Sequence, residues 1–250
     1  MVAAKHVGVK KRIHTKQSTT FNWIHAPKAV FLDRFINRTA TDLIAVSGEA
    51  KQFVIEKEKA DPKKIHLIHH GISFKTLQKA NDTEIKAFKI KFQLDGKRVI
   101  GTVSRYIKWK GYVEFIEAAS LIKDKYPDVI FMGIGNGPQE IELRELIKEK
   151  ELENQFLLTG WIEKKFIPSV FQSLDIYLHA AHMEPFGFVI PEAMVNKIPI
   201  VTTPTGSAGD GLKHMESAYI APYNNVQELA KGMEYFLKND SSAFTEKAYQ

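Results

Sequence analysis

The sequence predicts an α/β protein of parallel, doubly wound sheets, and three observations carry that prediction. Short apolar runs alternate with segments of helical spacing along nearly the whole chain, the pattern of strand–helix–strand units joined by right-handed crossovers. The stretch from Asp175 to Gly206 compresses one such unit into a strand, a loop, a helix and a second strand. Hydrophobic residues make up 44% of the 250, enough for a buried core in one large domain or two small ones.

The opening predicts a brief strand around 12–14, followed by a polar, turn-like run. Apolar residues at Val30, Phe31, Phe35 and Ile36 then set a helix over 28–38. A short strand over 43–46 precedes Ser47, a good N-cap for a helix over 49–57 that Asp61-Pro62 closes, and 65–68 is the next strand. His69, His70 and Gly71 end that strand and an irregular stretch follows, so the predicted boundary lies at residue 72. Residues 1–72 form a partial N-terminal Rossmann-like domain and residues 73–250 a doubly wound, Rossmann-like C-terminal domain.

In the second domain a helix over 81–91 leads to a strand over 98–103. A helix over 112–123 should face inward with Val113, Ile116, Ala119 and Leu121. A strand over 129–132, a charged amphipathic helix over 139–150, a strand over 156–158 and a short helix over 166–172 come next. Strands at 176–178 and 200–201 bracket a helix that begins near Gly187. The closing helix, over 226–237, packs through Leu229, Met233 and Phe236.

No apolar run reaches the roughly 18 to 20 residues that span a bilayer, and the start lacks the apolar centre of a signal peptide. With no cysteine, disulfides, thiolate catalysis and thiolate zinc sites are excluded, and a cytoplasmic location is expected. The net charge of +6 is uneven: residues 1–38 hold eight Lys/Arg against Asp33 alone, and the rest holds 27 against 28. Such a basic end suits anionic lipid, giving peripheral contact at the inner face of a membrane, or a phosphorylated acceptor. It lacks the aromatic ladder or motif of a nucleic-acid binder, so none is expected as a partner.

Within the central stretch, Glu184 lies in the loop and Glu192 eight residues on. Pro191 is tolerable only in a first turn, so the helix must start near Gly187. The amides of Gly187, Phe188 and Val189 would then be unpaired donors at the positive end of a helix dipole, suited to a phosphate. A phosphate flanked by two carboxylates suggests a sugar nucleotide. Arg105 and Lys110 follow the 98–103 strand, at the carboxyl edge where open α/β sheets bind ligands. Gly133-Ile134-Gly135-Asn136-Gly137 lacks the spacing and acidic partner of a dinucleotide fingerprint. His179, His182 and Glu184 lack the spacing of a metal site, and no Asp-x-Asp pair exists to hold a metal–diphosphate.

EPFGFVIPEAM followed by PIVTTPTG resembles the E-x7-E signature of the retaining glycosyltransferases of family 4, which have the GT-B fold. GTVSRYIKWKG, FMGIGNGPQ and TGWI resemble successive strand-end segments of the same family. Two positions depart from it: Ala181 stands where a serine is common, and Gly206-Ser207-Ala208-Gly209-Asp210 replaces a Gly-Gly-x-x-Glu turn. The resemblance also implies a chain shortened at both ends, since a glycine-rich acceptor-side loop is missing before residue 1.

What the resemblance implies is sugar transfer from a UDP- or GDP-linked donor to a hydroxyl of a glycan or lipid-linked acceptor. The expected setting is lipopolysaccharide, capsule or other polysaccharide synthesis, without metal or cofactor. Residues 1–72 would form the acceptor side and 73–250 the donor side. Arg105 and Lys110 would grip the diphosphate, stabilising a leaving group that develops negative charge. Glu192 would accept from the ribose hydroxyls and Glu184 would face the donor sugar, since a carboxylate accepts from two hydroxyls at once. Phe186, Gly187, Phe188 and Val189 would hold sugar and phosphate, His14 would stand beside the sugar, and Trp161 and Ile162 would lie against the base. Two readings compete: a nucleotide-sugar-binding fragment without turnover, and a sugar epimerase, for which no second carboxylate set is found.

Overall fold

The computed structural model describes residues 1–17, 27–72 and 80–250. They group into two compact units. The polar run after the first strand and the irregular stretch at the expected boundary fall mostly outside the described residues.

The first unit comprises residues up to Gly71 together with Met183–Gly187 and Thr205–Asp210. Its sheet has three parallel strands in the order β1 (Ile13–Lys16), β2 (Asp42–Ala45) and β3 (Ile65–Leu67). The register sets His14 beside Leu43 and Leu43 beside Ile65. A short helix α1 (Val2–His6), not foreseen, precedes β1, and α2 (Pro27–Thr39) and α3 (Gly48–Glu56) are the crossovers. Ser47 caps α3 as expected, its Oγ accepting from Ala50 N–H at 3.1 Å. The apolar spacing that predicts α2 does not map its buried face. Phe31 and Phe35 are exposed, whereas Val30 and Asn37 are buried with Asp33 mostly covered. Asn37 donates to Glu58 at 2.6 Å, and Lys16, 5% exposed, bridges Glu58 at 2.8 Å and Asp33 at 3.1 Å. An ionic cluster takes the inner face of this helix, so its hydrophobic spacing points elsewhere.

The second unit holds a six-stranded parallel sheet in the order β6-β5-β4-β7-β8-β9. The strands are β4 (Arg98–Val103), β5 (Val129–Ile134), β6 (Phe156–Leu158), β7 (Ile176–His179), β8 (Ile200–Thr202) and β9 (Tyr219–Ile220). The chain winds outward from β4 through β5 to β6, then returns beside β4 at β7 and winds the other way. The strand order therefore reverses between β4 and β7, where doubly wound sheets bind ligands at the carboxyl ends of their strands.

Helices α4 (Asp82–Lys91), α5 (Tyr112–Ser120), α6 (Glu140–Glu149), α7 (Ile167–Phe171), α8 (Val189–Val195), α9 (Ser207–Gly211), α10 (Val226–Lys238) and α11 (Ser242–Tyr249) complete the chain. Leu229, Met233 and Phe236 are buried, as the spacing predicts. Helix α5 buries Tyr112, Phe115, Ile116 and Ala119, while Leu121 is 57% exposed. The helix ends at Ser120, so Leu121 falls beyond the buried 112–115–116–119 stripe.

Candidate active site

Arg105 and Lys110 leave the end of β4 in a turn that three features of the second unit fix. Tyr106 is fully buried and its hydroxyl donates to Gly133 O at 2.9 Å, burial pushing its pKa up to about 12. Gly135 and Gly137 give clearance to the Ser104 and Tyr106 carbonyls, which a Cβ would meet at 1.9 and 2.4 Å. The Gly-x-Gly-x-Gly run is thus a device for close strand-end packing. Gly111, at φ +74°, lies where a Cβ would meet Ala180 O at 2.1 Å, and His182 N–H donates to Trp109 O at 2.9 Å. The turn bearing Lys110 is therefore seated on the stretch leaving β7, at the point where the strand order reverses.

On that same stretch His179 is buried, with neither ring nitrogen hydrogen-bonded, and its pKa is lowered to about 3 by burial and then by the charge of Lys110. His182 pairs through Nε2 with Glu114 at 2.8 Å, a bond that raises its pKa. Among the described residues no group of three His, Cys, Asp or Glu could hold a metal ion.

The helix expected to begin near Gly187 starts at Val189, two residues later, with Phe188 at its N-cap position. Gly187 has φ +81° and belongs to the loop. The residues expected to offer amides as one helix start are therefore split: Phe188 is exposed and Gly187 turns the chain. Glu192 lies in the first turn of α8 and lines a cavity of about 160 Å³ with Val103, Lys164, Ile167, Pro168, Phe171 and Asn196. Burial raises the pKa of Glu192, opposed by the charge of Lys164. Sequence reasoning missed Lys164. Trp161 is 66% exposed, and Ile162 lines a different, apolar cavity with Phe88, Phe92 and Phe166. Neither lines the Glu192 cavity.

Glu184, Phe186 and Gly187 belong to the first unit, together with Glu49, to which sequence reasoning gave no functional role. His69 and His70 stand 6.2 and 5.2 Å from the Phe186 ring, and His69 Nε2 lies 2.9 Å from Asp210 Oδ2. Gly48 N–H donates to the same carboxylate at 2.7 Å. Burial raises the pKa of Glu49, with its own hydrogen bonds opposing the shift and Glu184 and Asp210 adding to it. His14 lies on β1 with Nδ1 buried and unbonded, its pKa lowered first by burial and then by Lys16.

Comparison with known proteins fits this frame. Residues 83–250 match the family model for glycosyl transferases group 1, and the chain belongs to that family. It is 33% identical over 155 residues, 62% of this chain and 40% of the relative, to 2-deoxystreptamine N-acetyl-D-glucosaminyltransferase of Niallia circulans. It is 26% identical over 222 residues to 2-deoxystreptamine glucosyltransferase of Streptomyces kanamyceticus, covering 88% of this chain and 54% of that one. The chain thus spans about half the length of these relatives. The crystal structure of Anabaena HepE in complex with UDP-glucose superposes with a TM-score of 0.87 at 22% identity, covering 99% of this chain and 68% of that one. The fold is that of the GT-B glycosyltransferases.

Proposed function

We propose that the chain binds a UDP- or GDP-linked sugar and takes part in its transfer, with retention, to a hydroxyl acceptor of glycan or lipid-linked type, without a metal. The observation that carries this reading is the cavity beside the end of β4. There Glu192 and Lys164 face one space, and among the described residues neither side chain has a hydrogen bond or ion pair. A carboxylate in that position suits the ribose diol, because it accepts from both hydroxyls. An ammonium only donates, so Lys164 suits a base carrying a ring carbonyl, which uracil and guanine have and adenine lacks. The apolar walls of Ile167, Pro168 and Phe171 fit the flat face of the base, next in sequence to the Trp161 and Ile162 that resemblance implies.

Arg105 and Lys110, on the turn leaving that same strand end, take the diphosphate in this reading; for Glu184 and His14, on the first unit, the family resemblance suggests a place beside the sugar. The first unit is the acceptor side and the second the donor side. The names of relatives support the reaction class, and a structural neighbour holding UDP-glucose supports the donor. Transfer to polysaccharide or glycolipid is a narrower proposal. It draws support from the exposed Phe31, Leu32 and Phe35 on α2, interspersed with Lys28, Arg34 and Arg38, a surface suited to anionic lipid. No described helix is long and apolar enough to cross a membrane.

Calorimetric titration with UDP, GDP, CDP and ADP without metal tests the reading. Micromolar binding confined to UDP or GDP is the expected result, and no binding to any of the four would overturn it. The anomeric configuration of a product sugar, read by NMR, decides retention. A second reading, binding without turnover, draws on the half-length match to relatives. It predicts the same titration with no transfer.

A further inference from the structure

Glu184 sits in a loop with no regular secondary structure, and the structure shows what fixes that loop. Ser207 N–H donates to Phe186 O at 2.6 Å and Ser207 Oγ donates to Gly187 O at 3.1 Å. Gly206, at φ +54°, passes so close that a Cβ would meet Phe186 O at 2.5 Å and Glu184 O at 2.9 Å. The 184–187 loop is therefore moulded against the 205–207 turn. That turn is held in its own right by Glu49 in the first turn of α3. A single oxygen, Oε2, accepts from Thr205 Oγ1 at 2.9 Å and from Gly206 N–H at 3.0 Å. Asp210, following the turn, closes the arrangement by accepting from Gly48 N–H and lying within bonding distance of His69.

We infer that Glu49 is a positioning residue for Glu184, acting through the Thr205–Gly206–Ser207 turn, and that the first unit thereby sets where the sugar-facing carboxylate stands. The inference rests on the role proposed for Glu184. Several facts favour positioning over simple cohesion. Glu49 is a half-buried carboxylate placed near two others, Glu184 and Asp210, an arrangement that burial and charge both disfavour. A neutral residue would hold the unit together at less cost. A charged acceptor makes stronger bonds to an N–H and a hydroxyl than a neutral one, and so holds the turn more tightly.

The test uses Glu49→Ala, Glu49→Gln and Thr205→Val in the full chain. Because one oxygen takes both bonds, the Gln amide oxygen can replace it, whereas Ala leaves two donors unpaired. Glu49→Ala is expected to lower kcat for sugar transfer or donor hydrolysis 10- to 100-fold, leaving KM for the donor and Kd for UDP within twofold. Glu49→Gln should restore most of kcat, and Thr205→Val should lie between. Hydrogen exchange should quicken over 184–187 as well as 205–208 in Glu49→Ala. Equal loss of UDP binding and turnover, unchanged kcat, or exchange that quickens over 205–208 alone overturns the inference. If Glu49→Ala fails to fold, Thr205→Val decides: a kcat and a 184–187 exchange rate equal to wild type refute it. If the wild type turns over no sugar nucleotide, the functional reading fails. The exchange data then still decide whether Glu49 positions the loop.

Discussion

Removing the Glu192 carboxylate tests the nucleotide site proposed for the cavity it lines. Glu192→Ala takes away the one anionic acceptor in a cavity whose other walls are Val103, Ile167, Pro168 and Phe171, with Lys164 and Asn196 as the remaining polar residues. The Asn196 amide is already engaged, donating to Glu192 O at 2.8 Å and accepting from Gln172 at 3.3 Å, and its one neutral oxygen does not match the two anionic acceptors of a carboxylate. Two buried ribose hydroxyls without an acceptor cost about 1–3 kcal/mol, which is about 5- to 150-fold in Kd at 1.4 kcal/mol per tenfold. Calorimetry at pH 8 reads this directly for UDP.

A sign argument about pH accompanies the substitution. The pKa of Glu192 is raised by burial, so its folded-state value lies above its unfolded one. The fold then binds its proton more readily than the unfolded chain does, and stability attributable to this residue increases as pH falls through that window. Under the proposed reading, affinity for UDP moves the opposite way, since only the ionised form accepts from both hydroxyls of a diol. Glu192→Gln should therefore raise Tm at neutral pH, with the gain vanishing below the ordinary carboxylate range, and should abolish the acid-side loss of UDP affinity. Unaltered UDP affinity in Glu192→Ala at pH 8 would refute the assignment of this cavity to the ribose.

Other outcomes follow from the packing. Gly111→Ala must abandon φ +74° and a contact that leaves no room for a Cβ; about 2 kcal/mol or more of destabilisation is expected in chemical denaturation, with UDP binding weakened at least as much through the displaced Lys110 turn. Lys16→Met leaves Glu58, 3% exposed, without its cation, at a cost of about 3–5 kcal/mol in the same assay. For the His182–Glu114 pair the folded pKa of the histidine is raised. Its contribution is present below the unfolded value near 6.5 and is lost as pH rises through the folded value. His182→Gln should accordingly lower Tm at pH 6 and have little effect at pH 9.

Several features were legible in the sequence because they are local. Ser47 announces a cap, Leu229, Met233 and Phe236 announce an inward stripe, and the apolar runs of β4 and β5 announce buried strands, each within a few residues of the signal. The helix α8 was found for the same reason, although its start was misplaced, since Pro191 bounds the first turn without fixing it. What sequence could not give is any arrangement depending on residues far apart in the chain. The inner face of α2 could not be read from its spacing, because Asp33 is covered only where Lys16 supplies its cation and Asn37 only where Glu58 accepts its amide hydrogen. Lys164 carries no motif that would single it out, and only tertiary structure sets it in one cavity with Glu192. Glu49, 135 residues before Glu184, became relevant only when the 205–207 turn was found between them. Hydrophobic spacing and turn chemistry thus determined the elements and the class of fold. Packing alone decided which polar groups meet, because a buried charge is tolerated only where a distant segment supplies its partner.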